Sequence, residues 1–387
     1  MRAQSEVSTD QKDRLLIQTT FMTGKSVANY HTFPATSLRL LCSIDIGLKA
    51  MKTTKSYTSF YNHPLYGISL SVAKPGNDSV LGREISISPF FEYNPFHNGD
   101  KGVYFRIGIG FSYFTRFYHE VSNPSNEAIG SSFTWAFHGI ISRQIIAFSQ
   151  TSLNLNLAYF HASNGHTQLP NFGLNAAMVG FSFRFLSGQD VQYKTSAGDI
   201  SPGPKRSYFI FFRQGSGMNE LGGTTGPVGG KKGFIYSAAV AGGIIFNRHI
   251  KVRTGFTYRY YSLVSSYNSE TNPWTYTSSS AWFASNIFFF AGCEFLIGHF
   301  GLDIEGGINL YKPFYPYFFK TFENGSDLSY NLKKVFPTRM GLNYYVINTE
   351  NNPVNNLSIG AHINANFGEA DFSEISIAYT HILKRSR

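Results

Sequence analysis

Apolar and polar residues alternate with a period of two along this whole chain, and that pattern narrows the possible folds sharply. Val103, Phe105, Ile107, Ile109, Phe111 and Tyr113 alternate with Tyr104, Arg106, Gly108, Gly110 and Ser112. The pattern returns at Val252, Thr254, Phe256, Tyr258 and Tyr260, and at Leu302, Ile304, Ile308 and Leu310. It returns again at Leu357, Ile359, Ala361, Ile363, Ala365 and Phe367. Period two is the side-chain repeat of a β-strand, so each run has one apolar face and one face of Gly, amide or charge. A soluble sandwich alternates too, and length separates the two cases. These runs reach about ten residues, the span of a tilted membrane-crossing strand, against five or six in ordinary sheets.

Composition points the same way. Charged residues make up 14% and aromatics 17%, with 37 Phe, 24 Tyr and 37 Gly. Soluble domains average about a quarter charged. Yet mean hydropathy is only −0.15, far below that of a helical membrane protein. No segment offers the roughly 20 apolar residues of a membrane helix. The best candidate, Ala281 to Gly298, is broken by Ser285, Asn286 and Glu294. The formal charge of +10 has no Lys/Arg block beyond Lys384-Arg385-Ser386-Arg387, so nucleic acid is not an expected partner. Membrane lipids with anionic head groups are.

The expected fold is therefore all-β, a transmembrane antiparallel outer-membrane β-barrel of about 14 strands, between 12 and 16. Residues 1–13 read as an N-terminal leader segment without the apolar core of a signal peptide. Residues 14–387 read as a single barrel domain, with a motif region at 151–186 and a C-terminal extension at 205–387. Ser187 to Pro204 could link two domains, but the alternation has the same character on both sides. One barrel with long loops, Gly215 to Lys232 and Pro313 to Lys334 among them, is expected. Cys42 and Cys293 sit in apolar runs and read as small buried or lipid-facing residues.

The densest polar cluster beside membrane-like strands is His161-Ala162-Ser163-Asn164-Gly165-His166-Thr167-Gln168-Leu169-Pro170-Asn171-Phe172-Gly173-Leu174-Asn175. Leu153, Leu155, Leu157 and Tyr159 precede it on one face, and counting on by two reaches His161 and Ser163. Counting back by two from Val179, Phe181 and Phe183 reaches Asn175. All three polar side chains thus point outward near the barrel rim. Polar groups facing lipid cost free energy, although near the rim that cost falls, and a strand dissolving into a polar loop is the competing account. Side chains two apart on a strand start about 6.6 Å from each other, within leaning reach of an imidazole and a hydroxyl. A neighbouring His is the usual activator of a Ser nucleophile. Backbone N–H groups around Gly165 and Gly173, or the amide of Asn171, could meet an oxyanion. His166 reads as a loop histidine, since no partner set has metal-ligand spacing; neither metal nor cofactor is expected. Arg106, Arg184, Arg253, Arg259, Asp303 and Glu305 lie on polar faces and read as lumen residues.

The string H-x-S-N followed by P-N-x-G resembles the signature of the PagL-type lipid A 3-O-deacylases and their longer acyloxyacyl hydrolase relatives. Asn123-Pro124-Ser125-Asn126, Ile129-Gly130-Ser131 and the stretch Asn364 to Phe372 are similar to the longer relatives. The resemblance implies an outer-membrane barrel, with His161 as general base and Ser163 as nucleophile. It implies an oxyanion role for Asn171, with Asn164 and Gly173 matching the substrate-binding pattern. The family's third catalytic residue is a Glu, and this chain has Asn175 there. Three readings stay open: Asn175 suffices, another carboxylate (Glu369, Asp371 or Glu374) replaces it, or catalysis is weak or lost. The expected function is a serine esterase acting on an acyl ester of lipid A, with lipopolysaccharide and outer-membrane lipids as partners. The competing readings are an inactive barrel serving as a channel or structural protein, and a soluble β-sandwich.

Overall fold

In the computed structural model the period-two runs are hydrogen-bonded strands, each antiparallel to its sequence neighbour. The structure describes residues 12–52, 55–96, 102–188, 203–271, 280–323 and 325–386. Most of the expected leader, and most of the stretch from Ser187 to Pro204, lie outside the described residues.

The first ring comprises β1 (Arg14–Val27), β2 (Arg39–Lys49), β3 (Leu65–Lys74), β4 (Glu84–Tyr93), β5 (Val103–Phe114), β6 (Phe133–Ala147), β7 (Thr151–Ser163) and β8 (Leu174–Leu186). A short helix, α1 (Ser56–Phe60), lies between β2 and β3. The ring closes β1 against β8, from Leu16 opposite Leu186 to Val27 opposite Asn175. The second ring comprises β9 (Arg206–Gly223), β10 (Gly226–Phe246), β11 (Ile250–Tyr261), β12 (Ser285–Ile297), β13 (Phe300–Tyr311), β14 (Pro337–Tyr345), β15 (Asn355–Asn366) and β16 (Glu369–Ser386). It closes β9 against β16, with Phe212 opposite Tyr379. Helices α2 (Ser262–Thr271), α3 (Ser280–Phe283), α4 (Tyr315–Phe322) and α5 (Asp327–Val335) follow β11 and β13 at one end of this ring.

The strands thus close as two rings of eight, not as the single barrel of about 14 that alternation alone suggests. Alternation settles which side chains face outward, but not which strand closes on which. The interior filling does discriminate. Eight strands leave a bore that side chains can just fill, whereas sixteen leave an aqueous channel. Ion pairs here span the full bore. Arg184 of β8 bonds Glu92 of β4 at 2.5 Å, and Arg213 of β9 bonds Glu305 of β13 at 2.5 Å. Each pair joins strands on opposite sides of its ring, which a sixteen-stranded bore would hold apart.

The lumens are consequently packed with paired ions. Arg106 bridges Asp45 and Glu92 in the first ring. In the second, Arg253 meets Asp303 at 2.6 Å and Glu305 at 2.7 Å, and Arg339 meets Glu374 at 3.1 Å. A bore filled this way argues against the channel reading.

Gly215 to Lys232, expected as a loop, is instead a continuation of β9 and β10 into a hairpin turned at Thr224 and Thr225. Its glycines read as chain breakers, yet they serve close packing: a Cβ on Gly215 would fall 2.0 Å from the Glu374 carboxylate. Pro313 to Lys334 likewise holds α4 and most of α5 rather than irregular chain.

Outward faces are apolar belts: Leu155 and Leu157 on β7, and Val179, Phe181 and Phe183 on β8, are all exposed. Cys42 lies on such a face, and both Cys42 and Cys293 are free thiols. Placing a charge in this belt should destabilise the barrel in proportion to depth. Phe181→Arg is expected to cost about 2–4 kcal/mol, measured as the shift in denaturant unfolding in phospholipid vesicles. A cost below about 0.5 kcal/mol would mean that this face meets water.

Candidate active site

Along β7 the outward face runs Leu155, Leu157, Tyr159, His161, Ser163, so the strand itself delivers the two polar groups to the rim. In the β7–β8 register His161 stands opposite Asn175. The His161 Nδ1–H donates to Asn175 Oδ1 at 2.7 Å, and the Tyr159 hydroxyl donates to the same oxygen at 2.7 Å. Two donors on one oxygen fix the amide's orientation. They also leave Nε2 as the basic nitrogen of the ring.

Ser163 Oγ accepts from Asn171 Nδ2 at 2.8 Å and from the Gly165 N–H at 3.3 Å. The expected residues therefore sort into distinct tasks. Asn171 aims its amide at Ser163, while Asn164 holds Asn171, its N–H donating to Asn171 Oδ1 at 3.2 Å. The Asn164 side chain closes the loop by donating to the Gln168 carbonyl at 2.6 Å. Gly173 has φ +73° and passes beneath the imidazole, where a Cβ would lie 2.8 Å from His161 Cε1. His166 is buried in the loop, its carbonyl accepting the Glu220 N–H at 3.0 Å.

The upstream motif forms a shelf under this loop. Asn123 and Asn126 side chains both donate to the Val80 carbonyl at 2.9 Å, and Asn126 Oδ1 accepts from the Ile129 N–H. The carbonyls of Glu127 and Ala128 then receive the N–H groups of Phe172 and Gly173 at 3.0 and 2.9 Å. Tyr30 stacks on Phe172 with ring centres 4.8 Å apart, and burial pushes its hydroxyl pKa up to about 12.

The second barrel completes the enclosure. The extended β9–β10 hairpin reaches the loop: Leu169 N–H donates to Glu220 at 2.5 Å and Asn171 N–H to the Thr224 carbonyl at 3.2 Å. Trp135, opposite Ser163 in the β6–β7 register, donates through Nε1 to Ser373 Oγ at 2.9 Å. Ser163 is consequently only 4% exposed although its strand face points outward. Ser163 thus faces a seam between barrels, where the face count suggests open lipid.

Tyr159 was legible as a same-face neighbour of His161; Trp135, Glu220, Thr224 and Ser373 come from distant chain and leave no local signal. The carboxylates considered as substitutes for Asn175 are engaged elsewhere. Glu374 accepts from Ser237 at 2.8 Å, Asp371 from Tyr261 at 2.6 Å, and Glu369 from Thr224 at 2.5 Å. Asn175 is the group that meets His161. Among the described residues no cluster of three or more His, Cys, Asp or Glu has metal-binding geometry.

Closed barrels with apolar outer belts and ion-packed bores, one bearing a His161–Asn175 pair and Ser163 at its rim, define an outer-membrane β-barrel protein. Residues 45–184, which fall within the first barrel, match the family described as lipid A 3-O-deacylase (PagL). No curated protein matches the chain significantly. Among solved structures, a double mutant of the Rh. blastica porin aligns at 9% identity over 96% of this chain and 99% of that one, with TM-score 0.18. CdiB from Acinetobacter baumannii aligns at 9% identity over 96% and 60%, with TM-score 0.17. OprB from Pseudomonas putida aligns at 6% identity over 96% and 94%, with TM-score 0.17.

Proposed function

We propose that the chain is a serine esterase that removes an acyl chain from lipid A at the Ser163 site. The observation that supports this best is the convergence of Asn171 Nδ2 and the Gly165 N–H on Ser163 Oγ, beside an imidazole oriented by Asn175. Ser163 Oγ attacks the acyl carbonyl carbon while its proton passes to His161 Nε2. The oxyanion takes hydrogen bonds from Asn171 and Gly165. The C–O bond to the sugar then breaks, and His161 returns its proton to the leaving oxygen. Water, deprotonated by His161, attacks the acyl-enzyme; the acyl–Oγ bond breaks, His161 returns the proton to Ser163 Oγ, and the fatty acid leaves. An amphiphilic substrate suits a site at the membrane rim, its ester entering the seam between the barrels to reach Ser163 while its chains stay in the bilayer.

A long-chain alkyl phosphonate, which mimics the tetrahedral state, tests the mechanism. The purified chain should form a covalent adduct that peptide mass spectrometry maps to Ser163. An adduct at another serine, or none, would refute the proposed nucleophile.

Asn175 limits the rate in this reading, by an amount that the geometry bounds. Acid-to-amide exchange in Ser-His-Asp enzymes costs about 10⁴-fold, largely through the wrong His tautomer. Here the tautomer is already held, so only the charge opposite the imidazolium is missing. A charge-assisted bond exceeds a neutral one by about 1–2 kcal/mol. Asn175→Asp, with its oxygen in the same place, is therefore expected to raise kcat about tenfold, read from fatty-acid release. A fall in kcat would show that the amide is required as it stands.

A further inference from the structure

The two barrels are pinned to each other at both ends. At the active-site end the pins are Trp135 to Ser373 and Leu169 to Glu220. At the other end Ser56 Oγ donates to Glu350 at 2.7 Å, and the Tyr61 hydroxyl donates to the His249 carbonyl at 3.2 Å. Between the pins lies a cavity of about 1250 Å³. Its walls are outward faces of both rings: Ile68, Phe91 and Ile107 on the first, Phe300, Ile359 and Ile375 on the second.

These side chains belong to the same apolar belts that elsewhere meet lipid. Water in such a space would forgo hydrogen bonds, and vacuum would forgo dispersion contacts along both walls. Collapse is blocked by the polar pins. Hydrocarbon is what remains. A cleft of this volume has room for the acyl chains of a phospholipid. At the mouth away from the active site stand Lys55, 3.9 Å from the Asp13 carboxylate and donating to the Tyr57 hydroxyl at 3.2 Å, and Arg248, which donates to the Glu350 carbonyl at 3.3 Å, with Asn348 and Asn351 beside them. Glu350, also at that mouth, is engaged by the Ser56 N–H and hydroxyl. Two cations and two amides suit a phosphate-bearing head group.

We propose that the cleft between the barrels is a binding site for one two-chained anionic phospholipid, its acyl chains between the belts and its phosphate at Lys55 and Arg248. This lipid is a fixed part of the molecule and not a substrate, since the esterase site lies at the opposite end. It fills the space between two barrels that are hydrogen-bonded to each other at both ends.

Native mass spectrometry of the full chain, stripped by detergent exchange and titrated with phosphatidylglycerol, tests this. A single lipid should bind the wild type and resist further exchange. Ile68→Trp with Ile359→Trp, which fills the cleft from both walls, should weaken that binding at least about tenfold, a loss of roughly 1.4 kcal/mol. Lys55→Gln with Arg248→Gln should weaken it as well. Val72→Trp with Val240→Trp, exposed on the belts outside the cavity lining, should not. The proposal is overturned if the wild type retains no phosphatidylglycerol, if the cleft and control variants bind alike, or if lipid A displaces phosphatidylglycerol in competition. None of these readouts depends on esterase activity, so they stand apart from the test of Ser163.

Discussion

Ser163→Ala is expected to release acyl chains from lipid A on the order of 10⁶-fold more slowly than the wild type. The loss is that large because the whole covalent route runs through one oxygen. Nothing else in the loop can replace it: Thr167, the nearest other hydroxyl in the motif, donates to the Asn164 carbonyl at 3.0 Å and serves the loop. The exchange should leave the fold intact, since Ser163 Oγ accepts hydrogen bonds that a water can take over. Unchanged heat-modifiable mobility of the barrel on gels would confirm this, and fatty-acid release by mass spectrometry gives the rate. Retention of more than about a hundredth of the wild-type rate would require another nucleophile.

Asn171→Ala should cost about 10²–10³-fold in kcat with little change in KM. Its amide is aimed at Ser163 Oγ from 2.8 Å, and the far side of that amide is held by the Asn164 N–H. A donor so braced acts on charge that develops only in the transition state, which is why kcat and not KM should move. Its backbone is braced too, through the Thr224 carbonyl of the second barrel. An effect confined to KM would instead make Asn171 a contact for bound substrate.

The membrane-barrel class and the outward placement of His161, Ser163 and Asn175 were legible in the sequence, because both depend on a period of two. The residue count between Tyr159 and Ser163 carries that information without any tertiary knowledge. The number of barrels was not legible. It depends on Glu92 meeting Arg184 and on Glu305 meeting Arg213 across a bore, and these partners are separated by scores of residues. The role of the second half was hidden for the same reason. Glu220 and Thr224 sit in a glycine-rich stretch that reads as loop, yet pairing of β9 with β10 extends it into an arm over the active-site loop. Asn175 was visible as a departure from the family pattern. What the sequence could not show is that Tyr159 donates to the same amide oxygen and so holds the imidazole tautomer.

The most direct test is the mass of lipid A from Gram-negative cells expressing the full chain. The account predicts a species lighter by one acyl group in cells carrying the wild type, and unmodified lipid A in cells carrying Ser163→Ala. Unmodified lipid A in both, with the wild-type barrel folded in the outer membrane, would contradict it.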